Sequence, residues 1–263
     1  MSCGGGKEDG GPPTYTLTYD GNGNTAGTAP IDSNTYEYGE TVTVLNNSGN
    51  LVKVQDGISL IFCGWNTAAN GSGIEYEASD TFSMPNMNLT LYAQWSALRA
   101  IGPAGGLIFY DAGSIQSWGR YLEAAPSDQS TGHVWIEGGS TQTTLNGNTS
   151  TAIGTGQANS DYIIAQTGHT GSAAKVCLDY IYGIYDDWFL PSYDELLQMY
   201  WILQYEGVGG FANEAYWSSS EDDERRAFGV DFANGSSGSI DKSYGEGTIY
   251  PYFLFRVRAV RAF

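Results

Sequence analysis

The chain has 263 residues, a hydrophobic fraction of 41% and a mean hydropathy of -0.27. No apolar run in it approaches the roughly 18 residues that a membrane helix needs. Eleven basic residues against 29 acidic ones leave a net charge of -18. That balance excludes a nucleic-acid partner, because affinity for a phosphate backbone comes from Lys and Arg.

Residues 1–13 contain Cys3 followed by Gly-Gly-Gly-Lys-Glu-Asp-Gly-Gly-Pro-Pro, a composition that does not pack and reads as a flexible tether. A Cys ahead of such a tether resembles the start of a mature bacterial lipoprotein; the other origin for the stretch is a cloning remnant. Only Met1 and Ser2 precede Cys3, as expected after removal of a signal peptide. The resemblance implies a lipid on Cys3 as the only membrane contact, and a place on the bacterial cell surface, anchored to the outer membrane.

From Thr14 the pattern alternates. Tyr15, Leu17 and Tyr19 fall on one face of a strand and Thr14, Thr16 and Thr18 on the other, before residues 20–23 break it. Similar runs over residues 40–45, 60–65 and 89–95, separated by Gly and Asn clusters, predict a small β-rich unit over residues 14–97. Asp20-Gly21-Asn22-Gly23-Asn24 has the look of a calcium loop, but Thr25 stands at the sixth position and Ile31 at the twelfth, so a turn is expected. The segments YTLTYDGNGN, YEYGETVTV, FCGWNTAANGSGIEYEASDTFSMP and NLTLYAQW resemble the Listeria–Bacteroides repeat. That resemblance implies a β-grasp-like module serving as a spacer.

A second unit is expected over residues 98–263, with strands at 106–110 and 121–125. Helical spacing of Ala173, Val176, Cys177, Tyr180 and Ile181 predicts one helix over residues 172–182, closed by Gly183. Ser192 with Glu195 three residues on predicts a capping box opening a second helix, whose apolar face is Leu196, Leu197, Tyr200 and Leu203. Residues 216–263 return to short strands and turns, and end in RVRAVRAF, whose arginines are expected to meet carboxylates or carbonyls below the surface. Two helices within a Gly-rich β framework give an α+β class.

Conventional catalytic signatures are missing. There is no G-x-S-x-G and no Walker loop, and Gly154-Thr155-Gly156-Gln157-Ala158-Asn159 lacks the third glycine of a dinucleotide fingerprint. Two histidines, His133 and His169, leave no multi-histidine metal centre. No metal and no cofactor is expected. Cys63 and Cys177 read as small buried side chains. Asp186/Asp187 and Glu221/Asp222/Asp223/Glu224 are paired acids of the kind a glycosidase uses, but adjacent acids point apart on a strand or crowd a loop. Asp186 and Asp187 are expected to cap amides or pair with the terminal arginines.

The segments GGLIFYD, LEAAPSD, AIGTGQANSDYII, DWFLPSYDEL, GGFANEAYWSSSE and RVRAVRAF resemble the C-type-lectin-fold domain related to formylglycine-generating enzyme. YWSSSE, a mixed stretch and RVRAVRAF together resemble the variable region, here about residues 216–263, of proteins diversified by retroelements, nearest to treponemal variable lipoproteins. The resemblance implies a C-type lectin fold with two helices and short strands, used as a rigid display platform. The reactive cysteine pair of the enzymatic relatives is absent, since Cys177 stands alone in this unit, so no enzyme activity is implied. Neither E-P-N nor W-N-D, the sugar-site motifs of true lectins, is present.

In that family, adenine-directed mutation of AAC codons reaches Asp, Gly, Ser, Ala, Arg, Tyr and Phe, but never Glu, Lys or Trp. On this rule Trp217, Glu221, Glu224, Lys242 and Glu246 are fixed. The candidates for variation, and so for ligand binding, are Asp222, Asp223, Arg225, Arg226, Phe228, Gly229, Asp231, Ala233, Ser236, Ser237, Ser239, Ser243, Tyr244 and Tyr250. The expected function is a non-enzymatic surface receptor or adhesin for a macromolecular ligand, protein or glycan. Its surface would mix rigid aromatics with small adaptable residues, as a paratope does. The alternatives are a carbohydrate-binding module and a polysaccharide-cleaving enzyme acting through Glu221.

Overall fold

In the computed structural model, which describes residues 11–138, 141–243 and 255–263, the Thr/aromatic alternation at the start becomes strand. Two compact units divide between Ser96 and Ala97. Cys3, Glu246, Tyr244 and Tyr250 lie outside the described residues, as does most of the tether.

The first unit contains β1 (Thr14–Tyr15), β2 (Leu17–Asp20), β3 (Tyr36–Glu37), β4 (Thr41–Thr43), β5 (Lys53–Gln55), β6 (Ile58–Asn66), β7 (Glu75–Tyr76), β8 (Thr81–Ser83) and β9 (Leu89–Ser96). Its largest sheet runs β2-β9-β6-β5, with β7 on β6, and two-stranded pairs β1-β3 and β4-β8 complete it. Leu17, Val42, Trp65, Met84 and Leu91 are buried together. Trp65 meets Tyr19 edge-on at 4.7 Å and donates its indole N–H to the Leu45 carbonyl at 2.9 Å, which gives a buried polar atom the partner it needs.

The β-grasp expectation is corrected here: the described residues of this unit contain strands and turns and no helix. The reason is local. Asn66 Oδ1 accepts the N–H groups of Ala68 and Gly73, at 2.8 and 3.0 Å, and such side-chain bonds hold a segment in turns. The Asp20 segment is likewise a turn, with Asp20 Oδ1 accepting the Asn22 N–H at 2.7 Å. Cys63 is exposed and not buried, because it shares the outward phase of β6 with Ser59 and Ile61.

The second unit contains β10 (Leu107–Gln116), β11 (Gly119–Ala124), β12 (Ser130–His133), α1 (Gly156–Ile164), α2 (Ala173–Leu178), α3 (Tyr193–Met199), β13 (Ala215–Glu221), β14 (Arg226–Asp231), β15 (Ser237–Asp241), β16 (Phe255–Val257) and β17 (Val260–Ala262). A π-helical turn, Tyr200–Gln204, extends α3. One sheet has the order β10-β11-β17 and the other β12-β16-β13-β14-β15. Pairing is antiparallel except between β13 and β16.

The expected C-type lectin fold with two helices is overturned. Eight strands in two sheets dominate the described residues of this unit, and its three α-helices span nine, six and seven residues. Only the coarse α+β description survives. Helix α1 was not anticipated because polar Asn159 and Ser160 are among the residues it buries. Helix α2 stops at Leu178, and the chain then turns back on itself through paired backbone bonds between Tyr182 and Tyr185.

The core of this unit consists of two clusters of buried side chains. Trp135, Trp188 and Trp217 occupy one cluster, and Phe109, Leu122, Leu196, Tyr216 and Phe232 a second. Complete burial of a Phe or Leu side chain contributes roughly 1.5–3 kcal/mol. The terminal arginines meet carboxylates as expected. Arg258 Nε donates to Asp128 at 2.6 Å, and Arg256 bonds Asp128 and Glu214. Arg261 takes Asp187 in a fork, at 2.8 and 2.7 Å, and Glu123 at 2.8 Å.

Candidate functional site

Most of the described candidate positions lie on the β13–β14–β15 strands and their turns, above a base of buried, hydrogen-bonded side chains. In β13, Trp217 is fully buried, donates to the His133 carbonyl at 2.8 Å and packs on Phe255 at 4.2 Å. Ser218, Ser219 and Ser220 are buried polar residues that bind the carbonyls of Phe228, Pro191 and Ser150 at 2.8, 3.1 and 2.7 Å. At the far end, buried Lys242 pairs with Glu221 and donates to the Glu224 carbonyl at 3.0 Å. The capping box at Ser192 and Glu195 is present. Tyr193 then donates its N–H to Ser220 Oγ at 3.0 Å, tying α3 to β13.

Glu195 is an unusual part of that frame. Its carboxylate accepts from Ser192 at 2.7 Å and from Gly154 and Gly156 at 2.8 and 3.3 Å. Burial pushes its carboxyl up to about 7 against the opposing pull of these three N–H groups. Burial similarly pushes the Tyr216 hydroxyl up to about 12.

The turn between β13 and β14 carries exposed Asp222 and Arg225 and half-buried Asp223, and exposed Arg226 opens β14. Asp223 Oδ1 accepts the N–H groups of Arg225 and Arg226, both at 2.8 Å, and its other oxygen takes Arg226 Nε at 2.8 Å. The Arg226 guanidinium accordingly holds the Asp223 carboxyl below its ordinary value. Asp231 has a similar duty in the next turn, accepting the Ala233 N–H at 2.9 Å. Both aspartates shape backbone as well as facing solvent. Ser243 bonds Asp241 through its N–H at 2.9 Å, while Ala233, Ser236 and Ser237 are exposed and Ser239 half-buried.

Two corrections follow. Gly229 accepts no side chain, because an added Cβ would lie 2.6 Å from the Phe255 ring and 2.9 Å from the Tyr216 carbonyl oxygen. The remaining positions also do not share one face. Consecutive strand residues point to opposite sides, so Arg226, Phe228, Ser237 and Ser239 belong to one side. A groove of about 410 Å3 is lined by Gly229, Asp231, Gly238, Ile240 and Phe255 together with Val230, Ser236 and Ser237, so it takes residues from both phases of the strands. On the first side Phe228 lies 4.8 Å from Tyr193, whose hydroxyl meets Ser237 Oγ at 2.7 Å. Tyr193 was missed from sequence, since its position just after the helix cap signals only a helix start.

The fixed set behaves differently. Trp217, Glu221 and Lys242 are structural, and Glu224 contributes its backbone carbonyl from an exposed position. The burial of Lys242 leaves no trace in its neighbourhood in sequence.

Comparison with known proteins places similarity in the first unit. Two proteins of Evansella cellulosilytica are similar to parts of the chain. One, named "Putative membrane protein", is 40% identical over 86 residues, 33% of this chain and 12% of that protein. The other, named "Putative Gly-rich membrane protein", is 42% identical over 81 residues, 31% of this chain and 9% of that protein. The chain therefore spans only a small part of the length of these relatives. Residues 15–94 match the Listeria-Bacteroides repeat domain, a module of bacterial surface proteins.

Proposed function

We propose that this chain is a non-enzymatic surface receptor or adhesin whose second unit presents a diversified binding surface. The observation that carries this reading is the contrast within one hairpin. Arg225, Arg226, Ser236 and Ser237 are exposed, while Trp217, Ser218, Ser219, Ser220 and Lys242 beneath them are buried. Side chains on such a frame change without disturbing the core. In this reading residues 216–263 are varied by a retroelement at the candidate positions other than Gly229, and the repeat module is the spacer. The names of the two relatives and the repeat module support a surface location. Lipid on Cys3 and outer-membrane anchoring complete the proposal.

A binding screen against host and bacterial surface proteins tests it. The double variant Arg225→Ala/Arg226→Ala should abolish binding to a ligand so found with an unchanged melting temperature; retained binding refutes the assignment. A near-copy of the coding region differing only at adenines is the expected genomic companion.

One observation favours a second reading, a carbohydrate-binding module. Trp201 and Tyr205 are 49% and 66% exposed with ring centroids 5.5 Å apart, and exposed aromatics stack on sugar rings. Glycan-array binding lost in Trp201→Ala and kept in Arg226→Ala would establish it.

A further inference from the structure

The second unit has a cavity of about 180 Å3 away from the variable hairpin. It lies where the β10–β11 turn, the start of α1 and the segment leading from Asp187 to Phe189 meet β11 and β17. Its apolar lining is fixed by the sheet. Leu122 and Ala262 are register partners, so their side chains share one face. Phe189 is held beside them by paired backbone bonds with Val260 at 2.8 and 2.9 Å.

Trp118 adds an aromatic wall, and the turn at Gly154 is shaped to seat it. Gly154 has a φ of +85°, and an added Cβ there would lie 2.1 Å from the indole nitrogen, so glycine alone lets the ring rest on this backbone. The Gly154 N–H is in turn held by Glu195 at 2.8 Å. Two polar side chains complete the lining. Gln157 gives its Nε2 to Asp161 at 3.1 Å, which leaves its carbonyl oxygen as an acceptor. Asp187, with a side chain 48% exposed, is forked to Arg261 at 2.8 and 2.7 Å. The guanidinium holds its carboxyl below the ordinary value, and each carboxylate oxygen keeps a further lone pair.

These features define an occupant. The cavity is smaller than the roughly 300–1,000 Å3 of sites for drug-sized molecules, so it takes a single ring. Asp187 offers acceptors only and Gln157 its carbonyl oxygen, so the ring must carry donors. The indole and the Leu122, Phe189 and Ala262 side chains ask for an apolar face as well. A hexopyranose meets all three demands, with C–H groups on its faces and hydroxyls around its edge. Acidic sugars are disfavoured by Asp187 and by the net charge of -18. A bare cation gains little, because Asp187 already shares the charge of Arg261. We propose that this cavity binds one neutral hexopyranose, the terminal residue of a glycan, stacked on Trp118 with its hydroxyls donating to Asp187 and Gln157. The site goes beyond the receptor reading and uses neither the variable hairpin nor Trp201.

The test uses the full chain and saturation-transfer NMR with the methyl glycosides of glucose, galactose, mannose and fucose. At least one should bind with a Kd of about 1–10 mM. Trp118→Ala should weaken that Kd by roughly tenfold or more, and Gln157→Leu by roughly fivefold. Trp201→Ala and Arg225→Ala/Arg226→Ala should leave it within roughly twofold. If Trp118→Ala fails to fold, Gln157→Leu decides, since its side chain lies on the half-buried first turn of α1. No binding of any glycoside at roughly 50 mM, binding unchanged by Trp118→Ala and Gln157→Leu, or a preference for methyl glucuronide over methyl glucoside overturns the assignment. Sugar binding lost in Trp201→Ala and kept in Trp118→Ala overturns this cavity while establishing the carbohydrate reading at Trp201. Failure of every glycoside leaves the receptor reading standing, because that reading is tested through Arg225 and Arg226.

Discussion

Lys242 and Glu221 form an ion pair withdrawn from solvent, with side-chain exposures of 0% and 1%. The ammonium also reaches the Thr144 and Glu224 carbonyls at 3.3 and 3.0 Å and sits 5.0 Å from the Trp135 ring centroid. The carboxylate accepts from the backbone of Asn146 and Gly147, each at 3.0 Å. Removing one charge strands the other, so Glu221→Gln should cost about 3–5 kcal/mol in urea unfolding. The double variant Glu221→Gln/Lys242→Met should recover part of that loss. A cost for Glu221→Gln below about 1 kcal/mol would show the pair to be solvated.

Stability should depend on pH through Glu195. Its carboxyl stands at about 7 in the fold, above the ordinary value of 4.5, so the folded state binds the extra proton between those limits. The contribution is fully present below about pH 4.5 and is lost as pH rises through about 7. The difference between wild type and Glu195→Gln should therefore vary by on the order of 3 kcal/mol across that window. Denaturation series at pH 5 and pH 8 measure it, and parallel curves for the two proteins would contradict the raised value.

Gly229 and Gly238 face each other across the hairpin but meet different surroundings. An added Cβ at Gly238 finds no atom within 4 Å, whereas at Gly229 it strikes Phe255 and Tyr216. Gly229→Ala should lose about 1–3 kcal/mol by overpacking, and Gly238→Ala should stay within about 0.5 kcal/mol of wild type. Equal melting temperatures for the two variants would return Gly229 to the variable set.

Phe228→Ala removes a half-buried ring that packs at a tilt against Tyr193 and should cost about 0.5–1.5 kcal/mol beyond the lost area. Arg226→Ala removes exposed pairs with Asp222 and Asp223 and should leave the melting temperature nearly unmoved. Calorimetry that reverses this order would place Arg226, and not Phe228, in the supporting frame.

Much of the frame was legible because it depends on local pattern. The Ser192/Glu195 spacing forms the capping box expected of it, and the arginines of RVRAVRAF find buried acids. Long-range features were not legible. The neighbours of Lys242 in sequence give no sign that Glu221, Thr144 and Trp135 converge on it, and Gly229 resembles any turn glycine until Phe255 is placed against it. The lectin-type architecture failed for a related reason: helix α1 buries polar side chains, which apolar periodicity does not register. Strand phase was legible in principle, yet Phe228 and Gly229 were assigned to one surface although adjacency on a strand separates them.

Residues 255–262 supply a strand to each sheet of the second unit, β16 beside β13 and β17 beside β11. The five-stranded sheet lacks β16 until synthesis has passed residue 257, and the three-stranded sheet lacks β17 until it has passed residue 262. The Trp217 cluster takes Phe255, Val257 and Ala259 from this segment and the Phe109 cluster takes Val260, whereas every strand of the repeat module lies before residue 97.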